Sequence, residues 1–193
     1  RGGVHGAVEH GRELRHADRL RRDAGDIRCN VSMGRLALKN GKFIECVKYC
    51  DKAIERLCDR NEHPADTEAF YLKGVALEYL GEYNKAYDIL YRAAWNYPHR
   101  SAALFELACI DCRNGEYTEA LKKLSESMGL NKGHTKAHDL GTAIKRKLGY
   151  ECAEKSAEDG INDDKLDLFA FIEYSHFENI NDRIAEFAAK PEN

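Results

Sequence analysis

Proline is scarce in this chain: Pro64, Pro98 and Pro191 are its three occurrences in 193 residues. Each falls where a helix is expected to have ended, so almost the whole chain is free to be helical. Long apolar runs are missing as well. None approaches the roughly 20 residues that span a bilayer, so no membrane partner is expected. An excess of one charge is also lacking, with 30 Lys and Arg against 33 Asp and Glu and a formal net charge of -3. That balance gives no general field for nucleic acid, and no nucleic-acid partner is expected. The N-terminus has no basic segment followed by an apolar one, so no signal peptide is read there. It opens on Arg1 rather than Met, which points to a fragment of a longer protein. Cysteine is plentiful but odd in number: Cys29, Cys46, Cys50, Cys58, Cys109, Cys112 and Cys152. Several sit at helical spacing inside apolar stripes, which predicts reduced, buried thiols and a cytoplasmic location.

What the chain does have is a period. Gly74, Gly81, Tyr83, Ala86 and Ala93 recur 34 residues later as Ala108, Gly115, Tyr117, Ala120 and Ser127. The same pattern stands upstream as Gly34, Gly41, Phe43, Cys46 and Ala53. A fixed period of this length means a helix-turn-helix unit stacked on copies of itself. The small residues let paired helices approach closely, and the turn glycines supply the left-handed conformation after each first helix.

Residues 1–10 contain Gly2, Gly3 and Gly6, show no periodicity and read as a linker. An amphipathic helix is predicted from about Glu9 to Asp23, and residues 1–26 together form a linker and capping helix. The helical array is predicted over 27–164, with units at about 27–60, 67–98, 101–132 and 135–164. The polar segment Cys58–Asp66 lengthens the first connection, and Asp66 or Thr67 is the expected N-cap after it. In the fourth unit Leu140, Thr142, Leu148, Gly149, Ala153 and Ala157 match only with a turn one residue shorter. Residues 165–193 are predicted capping helices, including the aromatic stretch Lys165–Phe177 (KLDLFAFIEYSHF). Altered terminal units are expected, because an array must cover its ends.

At these residues the chain resembles the tetratricopeptide repeat (TPR) family over roughly Ile27 to Asp164. The strings DIRCN (26–30), YCDKAIERL (49–57), AYDILYRAAWN (86–96), LACIDCRNGEY (107–117) and KRKLGY (145–150) are similar to the TPR region of large bacterial multidomain proteins. In those proteins the repeats follow a mutarotase-like β-sandwich domain of unknown function. The resemblance implies an all-α fold: a right-handed superhelical stack of antiparallel helix pairs, a TPR solenoid with capping helices. It implies a non-catalytic protein-protein interaction scaffold that binds a peptide or a neighbouring domain. An alternative stays open, an accessory or oligomerisation region of a larger carbohydrate-active protein. A third is a homodimer through the C-terminal aromatic helix, with Phe169, Phe171, Tyr174 and Phe177.

The family places a ligand on the concave face of the first helices of each pair. Helical spacing with that resemblance selects Arg28, Arg35, Tyr71, Glu78, Tyr79, Phe105, Arg113, Lys136 and Arg146 as the peptide-binding set. Arg supplies paired hydrogen bonds to carboxylates and the aromatics supply contact area. The carboxylate clamp found in some family members maps to Val31, Arg35, Leu72, Ala102 and Glu106. Only the charge of Arg35 survives, so no such clamp is expected.

Other chemistry is weaker. Cys109 and Cys112 with His134 and His138 have the elements of a Cys2His2 zinc site, but the cysteines sit mid-helix and the inter-pair spacing is long. Cys112 with His138 could form a thiol-imidazole pair, yet nothing orients the imidazole and no oxyanion donor is evident. No catalytic residue, metal or cofactor is expected. Trp95 reads as packing at a helix end.

Overall fold

The computed structural model describes residues 3–59 and 61–149. Among them are eight helices and no strand: α1 (Gly3–Arg22), α2 (Ile27–Lys39), α3 (Phe43–Cys58), α4 (Glu68–Tyr79), α5 (Tyr83–Ala93), α6 (Tyr97–Asn114), α7 (Tyr117–Leu130) and α8 (Thr135–Lys147). The expected second helix of the fourth unit and the aromatic C-terminal helices lie outside the described residues. The described residues divide into two compact units, the first ending at His99 and the second beginning at Arg100.

One turn chemistry is used repeatedly. Gly41, Gly81, Gly115 and Gly149 all have positive φ, 71°, 76°, 83° and 74°. At the first turn Gly41 N donates to Leu38 O at 3.1 Å and Lys42 N to Ala37 O at 2.8 Å. The Gly81–Glu82 and Gly115–Glu116 turns repeat both bonds. This is the Schellman arrangement, which satisfies the last carbonyls of a helix. Lys42, Glu82 and Glu116 are also the N-cap residues of α3, α5 and α7, with no side-chain cap bond. One residue therefore closes the first helix and opens the second, and the pair must fold back antiparallel. Gly149 N likewise donates to Arg146 O at 3.0 Å. The fourth unit thus keeps the 34-residue register of Gly115 through its turn, and any shortening falls beyond it.

In the first unit, α2 packs on α3, α3 on α4 and α4 on α5. A Cβ on Gly74 would stand 2.5 Å from Leu90 Cγ, so glycine is what lets α4 and α5 approach this closely. Cys46, Cys50 and Ala53 of α3 form a core with Val31, Leu72 and Ala76. Asp26 caps α2 by accepting from Cys29 N at 2.8 Å. This bond, aided by Arg19, holds its carboxyl below the ordinary value. The inserted connection is tied down by α5 and the residues after it. Asn96 Nδ2 donates to Pro64 O at 2.8 Å and Ala65 O at 2.9 Å. Arg92 lies over the Phe70 ring at 4.5 Å and donates to Glu62 O. Trp95 meets His63 at 4.5 Å, so it packs against this connection. Thr67 is the N-cap residue of α4, but its hydroxyl donates to Ala93 O at 3.1 Å rather than accepting from the helix.

In the second unit Ala108 and Cys112 of α6, Leu124 of α7, and Leu140 and Ile144 of α8 are buried together in a core. Ser101 and Ser127 hydroxyls face each other at 3.0 Å. Lys123 and Asp111 form an ion pair at 2.6 Å.

Two boundaries differ from the sequence reading. α6 begins at Tyr97 rather than Ser101, because Pro98 falls in its first turn, where a missing N–H leaves no helix bond unmade. α1 begins at Gly3 rather than Glu9, and its early glycines do not stop it. The amphipathic pattern starts only at Glu9, so periodicity could not reveal that first turn.

Candidate functional site

The first helices of each pair carry the expected ligand positions. In the first unit these are α2 and α4, which pack on each other. Arg28 is exposed. Arg35 donates Nε to Glu68 Oε1 at 3.0 Å, and its Nη2 pairs with the same oxygen. The pair ties α2 to the first turn of α4, where a carboxylate also suits the helix dipole. Tyr71 is half-buried and stacks on His99, with centroids 5.8 Å apart and planes 16° apart. Tyr79 lies flat on Phe43 at 4.4 Å and 4°. Glu78 is 2% exposed and does not offer its carboxylate to solvent. Helical spacing gives the side a residue faces but not what covers that side, and α4 is buried over most of its length.

In the second unit the positions lie on α6 and α8. Arg113 and Lys136 are exposed and Arg146 is half-buried. Phe105 is 9% exposed and belongs to the core. Its ring tilts against His134 at 4.9 Å. Sequence reasoning does not find Phe43 and His99 as ring partners. Phe43 is visible as the aromatic of the repeat pattern, whereas His99 is hidden when α6 is expected to begin after it.

Thiol chemistry is muted by burial. Cys46 and Cys50 are one turn apart on α3 with sulfurs 4.0 Å apart, and the Cys46 thiol faces Leu72 O. The facing sulfur and burial push Cys50 well above the thiol range. Burial pushes Cys112 up to about 12. Cys29 meets His16 Nδ1 at 3.4 Å, yet it is 2% exposed and burial raises its pKa. A thiol kept neutral is a poor nucleophile, and this contact fastens α1 to α2. His134 Nδ1 caps α8 by accepting from Ala137 N at 3.2 Å. Burial lowers its pKa, which suits a nitrogen that must accept. Cys109 and Cys112 are buried in α6 while His138 is exposed on α8. Among the described residues no group of three or more His, Cys, Asp or Glu is arranged to hold a metal ion. No helix among them is long and apolar enough to cross a membrane.

Antiparallel helix pairs closed by repeated glycine turns define an all-α helical-repeat protein, and solved structures place that architecture. The chain is similar to YrrB, described as a TPR protein with an unusual peptide-binding site, with a TM-score of 0.65 and 15% identity over 90% of each chain. It is similar to the MamA protein with a TM-score of 0.64 and 17% identity, covering 79% of this chain and 81% of that one. A second MamA structure matches with a TM-score of 0.58 and 16% identity, covering 89% and 87%. The fold is therefore TPR-like. No protein-family model matches the chain.

Proposed function

We propose that this chain is a non-catalytic protein-interaction module in which each unit presents its own ligand surface on its first helices, α2 and α4 in one unit and α6 and α8 in the other. The observation that carries the reading is a set of side chains at the repeated ligand positions that the cores do not use. Arg28, Arg113 and Lys136 are exposed at such positions. Tyr71 is half-buried beside the Arg35–Glu68 pair. Guanidinium groups and aromatic rings at these positions suit a peptide with carboxylates and apolar side chains. YrrB's described peptide-binding site supports the same class of ligand.

The test is affinity capture from native lysate by wild-type chain and by Arg28→Glu with Lys136→Glu. Both residues are exposed, so the fold is expected to hold. Loss of the captured partner by about tenfold or more, near 1.4 kcal/mol, is the expected result. Equal capture by a variant of unchanged helicity would reject this surface.

A further inference from the structure

The two sides of α1 differ in use. The inner side carries His16, Ala17 and Leu20, all half-buried, and the helix packs on α2. His16 meets Cys29 there at 3.4 Å. The outer side carries Leu14, Arg15, Asp18, Arg19, Arg21 and Arg22, all exposed. Arg19 Nε pairs with Asp26, the N-cap residue of α2, at 2.8 Å. Asp18 is taken by Arg21 at 3.2 Å. Arg15 and Arg22 form no ion pair among the described residues. Their spacing is two helical turns, about 10 Å along one side of the helix. Leu14 stands on the same outer side and is 55% exposed. Arginine is concentrated at this end of the sequence: eight stand in the first 35 residues and seven in all the rest. The near balance of charge over the whole chain does not cancel this local excess, because charges beyond roughly 8–10 Å are screened.

We propose that the outer side of α1 is a further docking surface, and that its partner is an acidic protein segment with carboxylates about 10 Å apart beside an apolar side chain. None of these α1 residues stands at a repeat ligand position, so the surface is additional to the one proposed above. Charge complementarity selects the partner. A guanidinium pairs with a carboxylate through two parallel hydrogen bonds, and Arg15 and Arg22 are both open to such a bond. Leu14 supplies apolar contact next to them. Nucleic acid fits this face less well. Neither α1 nor α2 contains Phe, Tyr or Trp on which a base could stack. Asp18 and Asp23 also stand among the arginines, where they would repel a phosphate backbone. A lipid surface fits less well too. The half-buried side of α1 is already turned to α2, and Leu14 alone is left to enter a bilayer interface.

The experiment titrates full-length chain into a fluorescent synthetic peptide of repeated Glu-Leu-Ala-Glu-Ala-Leu-Glu heptads and follows its anisotropy. Arg15→Glu with Arg22→Glu is expected to weaken binding at least about tenfold. Lys48→Glu with Lys52→Glu makes the same change of charge at exposed positions of α3, and should leave the affinity within about twofold. The loss caused by the α1 variant is expected to persist in a chain that already carries Arg28→Glu and Lys136→Glu, which separates this surface from the first-helix surface. Cys29 meets His16 of α1 and is 2% exposed, so slow iodoacetamide labelling of Cys29 reports that α1 stays docked. If the Glu variant labels fast, Arg15→Gln with Arg22→Gln decides instead. That variant removes both charges without reversing them, and it must weaken binding with Cys29 still protected or the proposal fails. No binding by wild type, or an equal loss in the α3 variant, overturns the proposal. Tighter binding of phosphatidylserine vesicles or of duplex DNA, lost with Arg15 and Arg22, gives the face to another class of partner and overturns it as well. Self-association in sedimentation that the same variant abolishes does so too, since the occupant is then a second copy.

Discussion

In the α4–α5 and α6–α7 pairs the two helices are buried in different ways. α4 buries Ala69, Phe70, Leu72 and the run Gly74–Glu78, and its partner α5 buries only Ala86, Leu90 and Ala93. α6 buries ten consecutive residues, Ala103–Cys112, and α7 buries Ala120, Leu124 and Ser127. The second helices are amphipathic, with one narrow apolar stripe inward and the rest in water. The first helices α4, α6 and α8 are buried over long runs, so polar groups such as Glu78, Glu106 and Asp139 are carried into the interior with them. The second helices can drift in sequence on their outer side. The first helices cannot, and a ligand surface is most sharply specified there.

The contrast can be broken at chosen residues. The largest effect is expected at the stripe of a second helix. Leu90 is fully buried, and Leu90→Ala should cost about 3 kcal/mol, read as a lowered denaturant midpoint. Gly74→Ala attacks the same contact from the first helix. Its new methyl would meet Leu90 Cγ at 2.5 Å, and overpacking of this kind costs about 1–3 kcal/mol. Because the two share one contact, the double variant should lose less than the sum, and strict additivity would show that the close approach is not at Gly74. Gly115→Ala forces alanine to φ near 83° in open space, which should cost about 1 kcal/mol. A smaller, pH-dependent effect belongs to His134. Its folded pKa is depressed from 6.5, so its contribution is complete above that value and is lost as pH falls below it. His134→Asn keeps a capping side chain that does not titrate, and stability curves between pH 8 and about 5 should be flatter for it than for wild type. An unchanged slope would remove His134 from the account. On the outer side of α5, Tyr91→Ala should change stability by no more than about 0.5 kcal/mol, since that ring is 57% exposed.

Particular residues show how far the sequence can be read. Gly41, Gly81 and Gly115 announce their turns because a helix end in the left-handed conformation has few alternatives to glycine. Gly74 and Ala108 announce close approach because small residues at a fixed helical offset have little other use. The register of Gly149 is misleading because the pattern beyond it has drifted, while Gly149 itself keeps the positive φ of the other turn glycines. Tyr97 and Pro98 read as a connection because proline more often ends a helix than starts one, and the first turn is the exception. Glu78 and Phe105 fall on the expected helices but are closed rather than open. Their covering depends on what else packs in three dimensions, and a helical period carries no such information. The pairing of Arg35 with Glu68 is hidden for the same reason, although both residues stand at ligand-facing positions.

The claim that the first helices form the ligand surface is tested most directly by lysine cross-linking of a captured partner, followed by mass spectrometry. The two helix classes carry separate lysines: Lys39 and Lys136 on α2 and α8, and Lys48, Lys52, Lys85 and Lys122 on α3, α5 and α7. Cross-links concentrated at Lys39 or Lys136 are predicted. Cross-links confined to Lys48, Lys52, Lys85 and Lys122 would contradict the account.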